Sequence, residues 1–304
     1  MAFNGSVVSY PNRGKWGNNK WRGNTTGWIV KDFIESYTRG KANPLFVDPA
    51  VGGGTSKDVA RDLGIECVCL DLHSDFNLLR DSLLDRLPRE ADLLHFHPPY
   101  ANMITYAGNV WGNAPHPDDL GNNSSIGEFF EKSMVALNNI FDAMAPGGYY
   151  SVLIGNWRQN GTYYNLSSGI ERIAPGSLVD EIIKIQHNCT SDQRQYGGNF
   201  VPIRHEKMLV FRKDTKVLCA LDFAALQEEK ARRTTEMTWR AALRTVMLGK
   251  GPMTLTEIYT ALEDYAISRG TNNNWNAKVR QRLQKDSDFE RIARGTYVYG
   301  QMAA

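Results

Sequence analysis

The chain contains no run of eighteen apolar residues, so no segment reads as a membrane-spanning helix. Its first residues, MAFNGSVVSYPNRGKWGNN, have no apolar stretch behind their charges, which argues against a signal peptide and makes the cytoplasm the expected location. Cysteine is scarce, with four in 304 residues. Two of these, Cys67 and Cys69, fall within one strand-like run, which suits a core position better than a disulfide framework or a zinc knuckle. His95 and His97 are two residues apart, but no further ligand stands at a spacing that would complete a metal site. Internal repeats and low-complexity tracts are absent. Charge is nearly balanced at +2, yet unevenly placed. Residues 231–304 hold 12 Lys+Arg against 7 Asp+Glu, so an anionic partner is expected for that end of the chain.

With 42% hydrophobic residues, the sequence has enough apolar material for one large domain and a small accessory one. Residues 1–43 are rich in Asn, Gly and Trp, with one amphipathic segment from Trp28 to Tyr37. An α/β rhythm follows. Pro44–Val47 reads as a strand, Asp48–Thr55 as a Gly-rich turn, Ser56–Leu63 as a helix and Glu66–Leu70 as a strand ending at Asp71. Ala91–Phe96 is a short buried strand that runs into His97-Pro98-Pro99-Tyr100, where the prolines forbid a helix. Residues 102–125 carry five Asn, three Gly and two Pro and read as a long functional loop. Gly127–Met144 has helical apolar spacing and stops at Pro146-Gly147-Gly148. Tyr149–Ile154, Leu178–Ile185 and Lys207–Phe211 read as further strands. The alternation predicts a mostly parallel sheet covered by helices on both faces.

The turn Asp48-Pro49-Ala50-Val51-Gly52-Gly53-Gly54-Thr55 lies between a strand and a helix. Glycine there lets a ligand approach the backbone, and the helix start offers free N–H donors. A Walker loop requires Gly-Lys-Ser/Thr, whereas the order here is Gly54-Thr55-Ser56-Lys57. A dinucleotide fingerprint requires a third glycine where Lys57 stands. A third reading is S-adenosylmethionine, which has no phosphates and needs close backbone approach plus an acidic partner for its ribose, a role that Asp71 at the end of the next strand is placed to fill. An ordinary packing turn is the remaining alternative.

Asp-Pro-x-x-Gly-x-Gly-Thr followed by x-Pro-Pro-Tyr resembles the S-adenosylmethionine-dependent DNA methyltransferases that act on the exocyclic amino group of adenine (N6) or cytosine (N4). Asn19-Lys20-Trp21-Arg22-Gly23-Asn24 is similar to the segment that covers the methionine end of the cofactor. Asp81 falls where the family often has a carboxylate for the adenine amino group. Gly147-Gly148 and His205–Lys213 resemble further core segments, so the likeness covers residues 18–213, in the family's gamma-type motif order. Only 41 residues separate Thr55 from His97, too few for a target-recognition domain between the motifs. The resemblance implies a Rossmann-like methyltransferase domain over residues 1–213. Its cofactor would be held by Trp21, Arg22, Gly23, Asn24, Asp48, Pro49, Gly52, Gly54, Thr55, Asp71 and Asp81.

Catalysis would fall to His97, Pro98, Pro99 and Tyr100. Accepting hydrogen bonds from an exocyclic amino group localises its lone pair for in-line methyl transfer, and Tyr100 offers a stacking surface to a flipped base. Where the family usually has Asp, Asn or Ser, this chain has His97, whose neutral ring accepts through one nitrogen. No Pro-Cys dipeptide occurs, which disfavours attack on cytosine C5 through a thiolate. N6 of adenine is the first expectation. N4 of cytosine and an inactive DNA-binding protein with a vestigial methyltransferase fold remain open alternatives.

Residues 214–235 read as a charged helical linker, centred on Leu221–Arg233. Thr238–Leu248, Thr254–Tyr265 and Trp275–Lys285, followed by Phe289–Tyr299, look like a winged helix over 236–304. In that architecture the third helix enters the major groove and the hairpin touches phosphate. Asn273, Asn274, Lys278, Arg280, Arg282 and Lys285 are therefore the candidate contacts to double-stranded DNA. A restriction-modification role would leave room for a cognate restriction endonuclease as a second partner.

Overall fold

The computed structural model describes residues 2–104, 106, 114–187, 199–214, 238–268 and 274–300. The chain divides into two compact units, one of residues 1–78 and 83–213, the other of 79–82 and 214–304. The expected linker Leu221–Arg233 lies outside the described residues. Among the described residues no helix is long and apolar enough to cross a membrane.

The larger unit is α/β, built on β1 (Val7–Ser9), α1 (Gly27–Tyr37), β2 (Leu45–Asp48), α2 (Thr55–Asp62), β3 (Glu66–Cys69) and β4 (Ala91–Phe96). These are followed by α3 (Ile126–Ala143), β5 (Met144–Ile154), the hairpin β6 (Trp157–Gln159) and β7 (Thr162–Tyr164), α4 (Leu166–Ile173), β8 (Ser177–Ile185) and β9 (His205–Arg212). Seven strands form one sheet in the order β1-β8-β9-β5-β4-β2-β3. Every neighbouring pair is parallel except those made by β9, which is antiparallel to both β5 and β8. The sheet is doubly wound and Rossmann-like. From β2 the chain winds outward through α2 to β3, then returns past β2 to β4 and continues through α3 to β5. The order reverses between β2 and β4, and in such sheets the crevice at the carboxyl ends of those strands is where ligands bind.

Packing follows the period-two alternation of the strands. Phe46, Leu93, Leu153, Met208 and Val210 meet Ile29, Val30, Phe33 and Ile34 of α1 and Val59 and Ala60 of α2 in one buried cluster. Residues of opposite parity, such as Leu94, Phe96, Tyr150, Val152 and Phe211, are also buried and face the other side. That is why β2 and β4 read as continuous apolar runs: a parallel sheet covered on both faces leaves no polar side. Two expectations need correction. The segment 1–43 contains a strand, β1, which pairs with β8 and extends the sheet edge. Pro146-Gly147-Gly148 lies inside β5, not between helix and strand. Gly147 has φ +74, and its N–H donates to the Lys213 carbonyl at 2.6 Å, so the strand passes through the proline by an irregularity that glycine permits.

The smaller unit is α+β, with α5 (Trp239–Met247), β10 (Met253–Thr254), α6 (Leu255–Ser268), α7 (Trp275–Lys285), β11 (Phe289–Ala293) and β12 (Thr296–Tyr299). Its strands form an antiparallel sheet ordered β10-β12-β11. Trp239, Leu243, Ile258, Leu262, Val279, Leu283 and Phe289 make its core. The three helices and the final hairpin fall where the sequence reads a winged helix, and β10, which the sequence reading does not include, adds a third strand beside β12. Arg240 is 2% exposed, and its Nη2 donates to Asp288 Oδ2 at 2.9 Å, just beyond the end of α7.

Candidate active site

Gly52, with φ +49, and Gly54, with φ +84, turn the chain sharply between β2 and α2. The Gly52 N–H donates to Asp71 Oδ2 at 2.7 Å, which ties the turn to the end of β3. Asp71 Oδ1 accepts from the His73 N–H at 3.2 Å and also meets His73 Nδ1. Four lone-pair positions on that carboxylate leave capacity for further donors such as ribose hydroxyls. Asp48 is 3% exposed, accepts from the Ala50 N–H at 2.9 Å and works within the turn. Burial, with Asp71 nearby and despite hydrogen bonds from Ser56 and Ala50, pushes its carboxyl up to about 7. Pro49 is buried beside it.

The segment Asn19–Asn24, with Asn18 before it, lies along this turn. The Asn18 N–H donates to the Gly53 carbonyl at 2.7 Å, Asn24 Nδ2 to the Asn18 carbonyl at 2.9 Å, and Thr55 Oγ1 to Asn24 Oδ1. Trp21 stands over the glycines: a Cβ on Gly52 would lie 2.7 Å from its Nε1, and one on Gly53 2.8 Å from its Cβ. The Trp21 ring also lies 5.0 Å from His73 and 6.1 Å from Tyr106, and Tyr106 Oη donates to the carbonyl of the exposed Arg22. Gly23 faces Tyr106, whose hydroxyl a Cβ there would approach to 3.0 Å. Gly54 alone of the three turn glycines has open space in front of it. Flat aromatic faces, a carboxylate at the next strand end and an open glycine backbone together fit a nucleoside-bearing ligand. Asp81 is exposed and is grouped with the smaller unit.

The second motif leaves the end of β4, one strand over. Pro98 is buried, and its carbonyl accepts no hydrogen bond from the described residues. Pro99 packs near Gly121. The following loop is well tied, since Asn102 Oδ1 accepts from the Asn123 N–H at 3.0 Å while Asn102 Nδ2 donates to the Asn123 carbonyl at 2.6 Å. His97 Nε2 lies 2.9 Å from Tyr100 Oη. Burial pushes the His97 ring down to about 4, with Lys184 adding to the effect and Glu206 opposing it. An unperturbed histidine would titrate near 6.5; this one is neutral across the ordinary pH range. His95 is a core residue, its Nδ1 2.8 Å from Ser151 Oγ and its ring near Phe33. No group of three His, Cys, Asp or Glu is placed to hold a metal among the described residues.

Sequence reasoning missed the polar cluster behind Tyr100. Tyr100 Oη donates to Glu206 Oε1 at 2.7 Å, and Glu206 Oε2 accepts from Lys184 Nζ at 2.5 Å. Gln186 Nε2 donates to Glu206 Oε1 at 2.8 Å. Although burial works against it, Lys184, His97 and Tyr100 hold the Glu206 carboxyl below its usual range. Only the reversed direction of β9 brings its first residues to the edge where β4, β5 and β8 end. His73 and Tyr106 were missed for a similar reason, because each reaches Trp21 from a distant part of the chain.

The sequence-predicted DNA contacts lie on α7. Lys278, Arg280 and Lys285 are exposed and Arg282 is half-buried. Arg280 donates to Tyr259 Oη at 3.0 Å and Arg282 lies 3.9 Å from Asp286. Asn274 is the N-cap of α7 but makes no side-chain capping bond. Asn273 lies outside the described residues.

No family model matches the chain, and no curated protein matches it. Among solved structures it is similar to TrmN from Thermus thermophilus, at 13% identity over 63% of this chain and 50% of that one, with a TM-score of 0.34. The chain thus matches only half of TrmN's length. It is also similar to a SAM dependent methyltransferase from Archaeoglobus fulgidus, at 13% identity over 64% and 96% of the two chains, TM-score 0.37. A third is the N-methyltransferase NodS from Bradyrhizobium japonicum in complex with S-adenosyl-l-homocysteine, at 12% identity over 61% and 85%, TM-score 0.35.

Proposed function

We propose that the chain is an S-adenosylmethionine-dependent DNA methyltransferase that acts on an exocyclic amino group, N6 of adenine before N4 of cytosine. The observation that carries this reading is the meeting of the Gly-rich turn and His97-Pro98-Pro99-Tyr100 at the carboxyl ends of β2 and β4, where the strand order reverses. Asp71, the open backbone at Gly54 and the aromatic faces of Trp21, His73 and Tyr106 would hold the cofactor. When bound, the cofactor would supply a sulfonium methyl, the new N–C bond forming as the S–C bond breaks, with the electron pair left on sulfur and the amino proton passing to water. His97 and the Pro98 carbonyl accept hydrogen bonds from the target amino group, localise its lone pair and aim it. With a ring that resists protonation, His97 acts as an acceptor and not as a proton store. Tyr100 supports the flipped base. The exposed cations of α7 support contact between the smaller unit and double-stranded DNA.

The test is transfer of labelled methyl from S-adenosylmethionine to DNA, with nucleoside mass spectrometry of host DNA after expression. N6-methyladenine is the expected product. N4-methylcytosine selects the alternative base, and intact cofactor binding without any methylated nucleoside overturns the catalytic reading.

A further inference from the structure

We infer that Glu206 is a positioning residue that, through the Tyr100 hydroxyl, holds His97 in the tautomer whose free lone pair faces away from Tyr100. The role assigned to that lone pair rests on the methyltransferase reading above; the tautomer itself does not. A phenol carries one hydrogen. Tyr100 Oη spends it on Glu206 Oε1, at 2.7 Å. The 2.9 Å contact between Tyr100 Oη and His97 Nε2 must then be a bond donated by the ring, which puts the proton on Nε2 and leaves Nδ1 as the acceptor. Nδ1 has no partner among the described residues. An amino group presented to His97 therefore meets a lone pair instead of a competing N–H.

Glu206 can fix the direction of this relay because its own environment is one-sided. Lys184 from β8 takes Oε2 at 2.5 Å, and Gln186, just past β8, donates to Oε1 at 2.8 Å. The side chains of Lys184 and Glu206 are 11% and 8% exposed. The titratable groups facing His97 are Tyr100, Glu206 and Lys184, with His95 two residues back on the same strand, and Tyr106 adds its influence on Tyr100. An ionised carboxylate has no hydrogen to give, so in the Tyr100–Glu206 contact the hydroxyl is the donor, and its one hydrogen is not available to His97.

Glu206→Gln is an informative change because Lys184 still demands an oxygen. The amide places its oxygen toward Lys184 and its NH2 toward Tyr100, and the Gln186 amide turns over to present its oxygen to that NH2. The Tyr100 hydroxyl then turns its hydrogen to His97 Nε2, and the ring proton moves to Nδ1, where it opposes the target's own N–H. Nitrogen-15 NMR of histidine-labelled protein, without cofactor or DNA, reads the tautomer directly, with the His97 signal assigned by its loss in His97→Asn. Wild type is expected as the Nε2–H form at pH 7, Glu206→Gln as the Nδ1–H form, and Tyr100→Phe, which deletes the relay and keeps the ring, as a mixture. In methyl transfer, Glu206→Gln should lower kcat about 100-fold while KM for cofactor stays within about twofold. A wild-type ring with its proton on Nδ1, or an unchanged tautomer and kcat in Glu206→Gln, overturns the inference. Should Glu206→Gln fail to fold, an unchanged His97 tautomer in Tyr100→Phe overturns it instead. A correct tautomer shift in a protein that methylates nothing upholds the relay and removes the methyltransferase reading.

Discussion

Gly155 lies against the ring of Tyr100: a Cβ added there would stand 2.7 Å from the tyrosine's Cε2 and 3.1 Å from its Cδ2. Tyr100 is anchored by Glu206 and His97, so it cannot yield without dragging the ledge with it. Gly155→Ala should lower the methyl-transfer rate at least about tenfold at a stability cost of about 1–3 kcal/mol. Single-turnover kinetics and thermal unfolding of the same preparation check both; full activity would show that the position of Tyr100 is not critical.

The lowered titration of His97 reverses a simple expectation about pH. With a pKa near 6.5, activity would fall as the solution is acidified through neutrality. With the ring neutral down to about 4, roughly 90% of it remains an acceptor at pH 5, and transfer falls only below that. His97→Ala should reduce the rate about 100-fold with little change in cofactor affinity, and His97→Asn should retain more activity than the alanine variant. A pH–rate profile of kcat that drops between pH 7 and 6 in wild type, but not in His97→Asn, would contradict this assignment.

At Gly54 the added atoms meet nothing in the protein, but the φ of +84 penalises any side chain. Gly54→Ala should therefore cost about 1 kcal/mol of stability and weaken S-adenosylmethionine binding. Gly54→Asp should abolish that binding, because a charged side chain fills the space in front of the turn. Calorimetric titration with wild-type affinity in the aspartate variant would sink the cofactor site.

Asp48 predicts a pH-dependent stability. Its folded-state pKa is raised from 3.8 to about 7, so between those values the unfolded chain releases a proton that the folded chain keeps. Its contribution therefore worsens as pH rises through that window and levels off above it. Asp48→Asn, which keeps an oxygen for the Ala50 N–H, should gain on the order of 1–3 kcal/mol at pH 8 and far less at pH 4. Denaturant unfolding at the two pH values measures the difference, and an equal effect at both would refute the shifted titration.

On α7, Lys278 and Lys285 are exposed cations outside the bonds that hold Arg280 and Arg282 to Tyr259 and Asp286. Replacing both by Ala should reduce the slope of log affinity for duplex DNA against log salt by about 1.8 while leaving cofactor affinity alone. An unchanged slope would assign this helix to docking.

The parts of this protein legible in its sequence are those whose physics is local. The apolar runs of β2 and β4, the helical spacing of α3, the glycine-rich turn and the rigid Pro98-Pro99 ledge each follow from the residues in hand. So do the three helices and the hairpin of the smaller unit, though not β10. What needed the tertiary structure is whatever depends on strand direction and on contacts across long stretches of chain. A Pro-Gly-Gly run read as a stop becomes part of β5 because Gly147 bonds to Lys213. The start of β9 reads as an ordinary strand end. The reversal of β9 puts Glu206 beside Lys184 and under Tyr100, and that buried carboxylate, by dictating where one phenolic hydrogen points, decides which nitrogen of His97 is left to accept.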